Sequence, residues 1–256
     1  FMRKIIHRFF TIVSIVFVGL LLVDAAKACT CLEESALDWS TKASESILLL
    51  KLVSLEKYKD GEEQHTTSGI KQAKLIVQKS LKGSMKKGQN VIFQQGEETD
   101  CIWRFYEKQI GTEFIFYFGK NSLFSANSIC SRSSSLKFAA DDLLYLEKHQ
   151  KVFGKTRLSG IVYYVTEGKT DNPMWKKWNY EPILGRKIRV IGNGIDITLK
   201  TNKNGAYEVY DLPVGKYRII PQEVKSYRIV IPSEKIDEVE IKANSLTKQN
   251  IEYLVD

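Results

Sequence analysis

The run SILLLKLVSL at residues 46–55 points to a β-rich chain, because it has the length of a strand and an almost continuous apolar character. Three further runs follow it, and they are Gln72–Leu81 (QAKLIVQKSL), Asn90–Gln94 (NVIFQ) and the aromatic Thr112–Gly119 (TEFIFYFG). Residues of these types are enriched in strands. Glycines at 61, 83 and 88 punctuate the runs, as expected for turns between strands.

Two helices are predicted around these strands. Ser35–Ala43 is a candidate short helix before the first strand, and Ala140–Val152 is an amphipathic stretch with Leu143, Leu144 and Leu146 on its apolar side. About five strands followed by a helix predict a small closed barrel.

The cysteines and prolines divide the chain into two parts. All four cysteines lie before residue 131 and all five prolines lie after residue 172. This segregation predicts one domain over residues 29–150, a linker at 151–156 and a second domain over 157–256. The second half is mainly β, with candidate strands at Arg157–Thr166, Arg186–Gly192, Asp196–Thr201, Ala206–Tyr210, Lys216–Pro221, Tyr227–Pro232, Lys235–Lys242 and Leu246–Leu254. Turns at 202–205 and 213–215 and this strand spacing predict an Ig-like or transthyretin-like β-sandwich.

The charge distribution gives little support for nucleic-acid binding. The 256 residues carry a formal net charge of +8, of which +3 falls in residues 1–28, none in 29–150 and +5 in 151–256. No cluster of lysine and arginine alternates with aromatic residues, so we expect no nucleic-acid partner. With 43% hydrophobic and 27% charged residues, the chain can build a core and is not of the disordered class.

Residues 1–28 have the features of a signal peptide. Arg3, Lys4 and Arg8 precede an uncharged run at Phe9–Val23, and Ala26-Lys27-Ala28 is an A-x-A cleavage site. An uncleaved membrane anchor is the alternative, but fifteen residues are fewer than the roughly 20 that span a bilayer. We therefore expect a secreted, periplasmic or cell-surface protein with no membrane span after cleavage and with Cys29 as its first residue.

The even number of cysteines in an exported chain predicts disulfides. A Cys29–Cys31 bond would close a badly strained ring, which leaves two long-range pairings with Cys101 and Cys130. A zinc site is the weaker alternative, because C-x-C differs from the usual C-x-x-C spacing and only His65 and His149 follow residue 28. Lipidation of Cys29 is a further alternative, to which Lys27 is poorly suited.

The segment Cys29-Thr30-Cys31 resembles the N-terminus of the tissue inhibitors of metalloproteinases, which contain a netrin-like domain. Cys101 lies 72 residues after Cys29 and Cys130 lies 99 residues after Cys31, and both intervals are similar to those of the family. Residues 47–53 (ILLLKLV), 79–83 (KSLKG) and 112–120 (TEFIFYFGK) resemble family strands in the same order. The resemblance covers residues 29–150.

This resemblance implies a five-stranded barrel of the oligonucleotide/oligosaccharide-binding (OB) type, with disulfides Cys29–Cys101 and Cys31–Cys130. It also implies a function, inhibition of zinc metalloendopeptidases. The free α-amine and carbonyl of Cys29 would chelate the protease's catalytic zinc, which keeps an open position. Thr30 would enter the S1′ pocket, and Cys31 and Leu32 would complete the protease-binding segment. The chain would bind no metal or cofactor of its own.

Two departures from the family leave an alternative function open. The family's third disulfide has no counterpart, and Leu32-Glu33-Glu34-Ser35 follows the CTC motif where animal inhibitors favour proline and histidine. The family's cysteine-rich C-terminal part is also absent, and residues 201–207 and 212–217 instead resemble a carboxypeptidase-regulatory-like, transthyretin-related sandwich. The alternative is therefore a non-inhibitory interaction or scaffold module at the cell surface or outside the cell.

No motif predicts an enzyme. The sequence contains no Walker loop, G-x-S-x-G, H-E-x-x-H or G-x-G-x-x-G. A polar loop with Trp175, Trp178 and Tyr180 is a possible interaction surface for a glycan or protein, although packing over the edge of the sandwich is the commoner fate of such residues. The sequence predicts no oligomeric state.

Overall fold

The computed structural model describes residues 37–59, 61–62, 69–95, 103–119, 131–168, 177–223, 227–230 and 238–255. The first half contains α1 (Leu37–Ala43), β1 (Ser46–Lys57), β2 (Ile70–Lys82), β3 (Asn90–Gln94), a 3-10 turn (Glu107–Gln109), β4 (Glu113–Phe118), β5 (Ser134–Ser135) and α2 (Ala140–Val152). The predicted strands and helices of this half are therefore present, and their bounds differ from the predicted ones by a few residues at most.

The five strands form one antiparallel sheet in the order β3-β2-β1-β4-β5. In the described part of the chain no strand pairing joins β3 to β5, so this sheet is open and the closed barrel is not confirmed. The edge strand β5 has only two residues, which leaves little backbone for a closing ladder. Four register shifts along the β1–β2 pair bend these two long strands.

The aromatic strand β4 separates two cores, because its side chains alternate between the faces of the sheet. Phe114, Phe116 and Phe118 pack on one face with Phe93 and Phe105, and neighbouring ring centroids are 4.9–6.0 Å apart. Ile115 and Tyr117 point to the other face, where they pack against the two helices. Burial on both faces explains why the run is continuously apolar rather than alternating.

The second half is a sandwich of two sheets. Its strands are β6 (Arg157–Gly168), β7 (Lys177–Pro182), β8 (Lys187–Gly192), β9 (Ile195–Lys200), β10 (Ala206–Tyr210), β11 (Gly215–Pro221), β12 (Tyr227–Val230), β13 (Glu238–Ile241), β14 (Leu246–Lys248) and β15 (Ile251–Val255). One sheet has the order β10-β6-β15-β12, with β7 and β14 also paired to β6, and the other has the order β13-β11-β8-β9. The predicted β-sandwich is confirmed, and its core contains Leu158, Val162, Ile188, Tyr207, Tyr217 and Tyr253.

The single strand predicted over Leu246–Leu254 is wrong, because the chain breaks there into β14 and β15. The break follows from contacts with β6: the Gln249 amide donates to Ser159 O, and the Ile161 amide donates to Asn250 Oδ1. Gly160 lies between these two residues of β6, and a Cβ there would come within 1.8 Å of Gln249 O. The close approach therefore requires glycine at 160.

A second difference concerns residues 175–180, which the sequence analysis assigned to a polar loop. Residues 177–180 instead belong to β7, an antiparallel partner of the second half of β6. The strand is polar and ends in Pro182, so its sequence lacks the usual strand pattern. The proline is nevertheless compatible with a strand, because proline is tolerated at the end of an edge strand. The turn at 202–205 is confirmed: Asn202 Oδ1 accepts hydrogen bonds from the amides of Asn204 and Ala206.

Helix α2 lies between the two halves and has an apolar side toward each. Leu143, Tyr145 and Leu146 belong to the cluster under the first sheet, whereas Ala140 and Leu144 pack with Ile161, Tyr163 and Val165 of β6. The sequence analysis placed all three leucines on one side, and that placement is wrong for Leu144. Because α2 is contacted on two sides, its leucines do not all lie on a single apolar stripe.

Candidate functional site

The sequence-predicted site at the N-terminus lies outside the described residues. This holds for Cys29, Thr30, Cys31 and Leu32, for the other two cysteines, Cys101 and Cys130, and for Trp175. The disulfides and the chelating amine therefore stay predictions. The described chain begins five residues after Leu32, where Leu37 opens α1 and is itself buried.

Helix α1 is anchored at both ends. Leu37 packs in the cluster that contains Ile47, Leu49 and Tyr145, and Asp38 accepts a hydrogen bond from the Tyr145 hydroxyl of α2. At the other end, Lys82 Nζ donates to the carbonyls of Thr41 and Lys42 at 2.9 and 3.2 Å. A cation at this position complements the helix dipole. The segment that follows the CTC motif therefore enters a helix held by both β2 and α2.

Trp178 and Tyr180 lie two residues apart on β7, so their side chains share one face of the strand. Trp178 is 39% exposed. Tyr180 packs edge-on against Phe138 and Tyr163, with ring centroids 5.5 and 5.6 Å apart. Lys137 Nζ lies 5.9 Å from the Tyr180 ring centroid. Tyr180 is thus part of the packing between β7 and the start of α2. This matches the alternative in which the residue packs over the edge of the sandwich.

The most extensive polar cluster of the described residues lies between α2 and the sandwich, and the sequence analysis missed it. Arg157, the first residue of β6, is 1% exposed. Its Nη2 donates to the main-chain oxygen of Asp141 at 2.5 Å and to Glu208 Oε2 at 3.1 Å. Its guanidinium carbon lies 5.4 Å from the ring centroid of Tyr145. One buried cation therefore connects α2, β6 and β10.

Both acidic residues in the first turn of α2 are buried and paired. Asp141 lies 3.1 Å from Lys248 Nζ and accepts a hydrogen bond from the Ser159 hydroxyl. Asp142 accepts two hydrogen bonds from Arg132, at 2.7 and 2.8 Å, and one from the Tyr117 hydroxyl at 3.0 Å. Asp141 thus faces the sandwich while Asp142 faces the first sheet. Adjacent aspartates in a first helical turn usually indicate an exposed helix start, so this role could not be predicted from the residue pattern.

Several tyrosines of this interface have raised pKa values. Burial, followed by the nearby Asp142 charge, raises the pKa of Tyr117 well above its usual value. Burial and the hydrogen bond to Asp38 raise the pKa of Tyr145, and burial raises the pKa of Tyr163. All three shifts favour the neutral phenol, which suits structural hydrogen-bond donors.

The described residues contain no group of three or more His, Cys, Asp or Glu side chains placed to hold a metal ion. Across the same residues, no helix combines the length and the apolar character needed to cross a membrane.

Comparisons with known proteins identify no family. No protein-family model matches the sequence, and no curated protein matches it. Among solved structures, a DUF3823 family protein from Bacteroides ovatus matches with 19% identity and a TM-score of 0.23, over 39% of this chain and 44% of that chain. GBS52, the minor pilin of Streptococcus agalactiae, matches with 11% identity and a TM-score of 0.28, over 83% of this chain and 84% of that chain.

BcpA, the major pilin subunit of Bacillus cereus, matches with 12% identity and a TM-score of 0.21, over 84% of this chain and 61% of that chain. The chain thus spans less than half of the Bacteroides protein and about three fifths of BcpA.

Proposed function

We propose that this protein is an exported binding module that acts by holding a protein partner rather than by catalysis. The observation that carries the proposal is the buried α2 interface, in which Arg157 and Asp141 link the first sheet unit to the sandwich. We call the first sheet, α2 and the sandwich, joined in this way, the rigid frame. A rigid protein loses little conformational freedom when it binds a partner, so more of the contact energy appears as affinity. Export is supported by the signal-peptide features of residues 1–28.

Chemical crosslinking in the source organism tests this proposal. We expect the wild-type protein to be recovered crosslinked to a defined protein partner in fixed stoichiometry. The Arg157→Met variant loosens the frame and should reduce that yield, whereas Arg189→Met, in an exposed ion pair on the sandwich, should not. Recovery of the wild-type protein alone under all crosslinking conditions would contradict the proposal.

A specific form of this function is inhibition of a zinc metalloprotease through Cys29, on an N-terminal domain that forms a closed OB-type, netrin-like barrel. Three sequence observations favour it: the CTC motif directly after the cleavage site, and the two cysteine intervals of 72 and 99 residues. The family-like stretches at 47–53 and 112–120 also contribute to β1 and β4, which are adjacent strands of one sheet. Non-reducing peptide mapping should then find the disulfides Cys29–Cys101 and Cys31–Cys130.

An N-terminal extension separates inhibition from non-inhibitory binding. In a panel of zinc metalloproteases, the protein that begins at Cys29 should inhibit, because its free amine and carbonyl reach the metal. One alanine added before Cys29 moves the amine and should abolish inhibition without changing thermal stability. Inhibition that survives the extension would assign protease contact to another surface. If neither the protein that begins at Cys29 nor its extended form inhibits any protease, the inhibitor function is wrong and the non-inhibitory binding module is favoured.

A further inference from the structure

A groove of about 760 Å³ opens where the end of β2 approaches the second half of α2. Five lysines line it: Lys42 at the end of α1, Lys79 and Lys82 on β2, and Lys148 and Lys151 on α2. Phe153, directly after α2, lies at the groove and is 53% exposed. The groove thus combines a cationic rim with an accessible aromatic ring.

The rim keeps a surplus of positive charge after its internal ion pairs are counted. Glu147 is the one carboxylate among the described lining residues, and it pairs with Lys79 at 2.6 Å. Lys148 pairs with Glu208 at 2.6 Å. Lys42, Lys82 and Lys151 form no ion pair with any described residue, so within this part of the chain three of the five lysine charges have no carboxylate partner.

The three surplus charges differ in what they can offer a ligand. Lys82 Nζ already donates to the carbonyls at the end of α1. Lys42 and Lys151 side chains have no hydrogen-bond partner among the described residues, and both line the groove. They are therefore the two cations that can turn to an incoming carboxylate without breaking a contact to another described residue.

The apolar part of the groove narrows the class of ligand. The apolar floor is accessible at Leu81, beside Phe153, whereas Ile47 and Leu146 also line the groove but are almost fully buried. A nucleic acid or a sulfated polysaccharide would use the lysines but leave this floor without a matching surface. The lining residues that the structure describes include no arginine and only one aromatic ring for base stacking. A peptide with carboxylates on one side and aliphatic side chains on the other matches both the rim and the floor.

We propose that this groove is the docking site for an acidic, amphipathic segment of a partner protein. The inference rests on the proposed binding function and gives it a location and a ligand chemistry. Glutamate or aspartate side chains of the segment pair with Lys42 and Lys151, and leucine-like side chains cover Phe153 and Leu81. Occupation of this groove does not require inhibition of a protease.

Fluorescence anisotropy with a defined probe tests the proposal on the full chain. The probe is a fluorescein-labelled peptide of repeated Glu-Glu-Leu-Leu units, compared with the same peptide containing Gln for Glu. We expect binding of the acidic probe that weakens as salt is raised, and much weaker binding of the neutral one. Failure of the acidic probe to bind the wild-type chain would overturn the groove assignment, and the crosslinking experiment would still judge the binding function independently.

Matched substitutions separate groove binding from general attraction to a basic surface. Lys42→Gln with Lys151→Gln should weaken probe binding by about fivefold or more, since both cations contact the ligand. Lys187→Gln with Lys200→Gln removes two exposed lysines from neighbouring strands of the sandwich and should change it by less than about twofold. Equal loss in the two double variants would overturn the proposal.

Phe153→Ser tests the apolar contact, with Ile110→Ser as its control because Ile110 is 49% exposed and lies away from the groove lining. We expect about tenfold weaker binding for Phe153→Ser and little change for Ile110→Ser. Far-ultraviolet circular dichroism and thermal unfolding of each variant show that the fold is intact. If heparin binds at the groove and Phe153→Ser leaves both ligands unaffected, the site is a polyanion site and the peptide assignment is wrong.

Discussion

Arg157 donates a hydrogen bond from its guanidinium group to the main-chain oxygen of Asp141, and this contact joins the first strand of the sandwich to the first turn of α2. The guanidinium is almost fully buried and also faces Glu208, whose side chain is 7% exposed. The Tyr210 hydroxyl donates to the same carboxylate at 2.7 Å. The two halves of the chain are thus connected by a hydrogen-bonded polar core as well as by apolar packing.

Arg157→Met should destabilise the protein by about 1–3 kcal/mol, because the buried Asp141 main-chain oxygen loses its donor and Glu208 loses one of its two cations while Lys148 still pairs with it. Urea unfolding followed by circular dichroism measures this change. Arg189→Met is the matched control, since the Arg189–Asp196 pair is about half exposed on both sides and should have little effect. Adding Glu208→Leu to Arg157→Met should recover part of the loss, and additive losses in the double variant would contradict this explanation.

Alkaline pH should unfold the protein at the α2 interface. Burial raises the pKa values of Tyr117, Tyr145 and Tyr163 in the folded state above the value of about 10 in the unfolded chain. The contribution of these phenols to stability is therefore complete below pH 10 and is lost as the pH rises above it. Tyrosinate absorbance at 295 nm and circular dichroism should change together, and ionisation of all tyrosines near pH 10 with an intact fold would contradict the prediction.

Glu252→Gln should stabilise the protein at neutral pH. Burial on β15 raises the pKa of Glu252 above 4.5, so the folded state disfavours its carboxylate and loses stability as the pH rises through that pKa. Glutamine removes this loss at pH 7, and the two proteins should have the same urea midpoint near pH 3. The exposed Glu45→Gln is the control and should show no such pH-dependent gain. A stabilisation that is independent of pH would show that the carboxylate charge is not the cause.

A chain that ends at Val152 should be less stable than the full protein. The truncation exposes Ala140 and Leu144, which pack against β6, and it removes the partners of Asp141. We expect a lower urea midpoint and binding of a hydrophobic dye such as ANS. An unchanged urea midpoint without dye binding would show that the stability of the first half of the chain does not depend on the sandwich.

The sequence predicted most strands and helices because their local patterns are strong. Ala140–Val152, Asn90–Gln94 and Ala206–Tyr210 have the same bounds in the structure. The split at Gln249–Asn250 was not predictable, since it depends on the approach of β15 to Gly160, a residue far away in sequence. Closure of the first sheet likewise depends on which strands pair, and residue patterns do not determine that.

The candidate sites differ in how much the sequence could predict. Cysteine spacing predicts disulfides, and the signal-peptide features predict the N-terminal residue after cleavage. The lysine groove had no local signal, because its members come from α1, β2 and α2 and meet only when these elements pack. Arg157 and Asp141 lie on consecutive elements, but their contact forms only when α2 packs against β6. Buried arginine and aspartate look like surface residues in a single sequence.

Rotational diffusion of the two halves is the most direct test of the rigid frame on which the proposed function depends. Backbone 15N relaxation of the full chain reports it separately for amides of the first sheet and amides of the sandwich. We predict one shared rotational correlation time for both groups in the wild-type protein, and separate values when Arg157→Met loosens the interface. Two distinct, shorter correlation times in the wild-type protein would contradict the account.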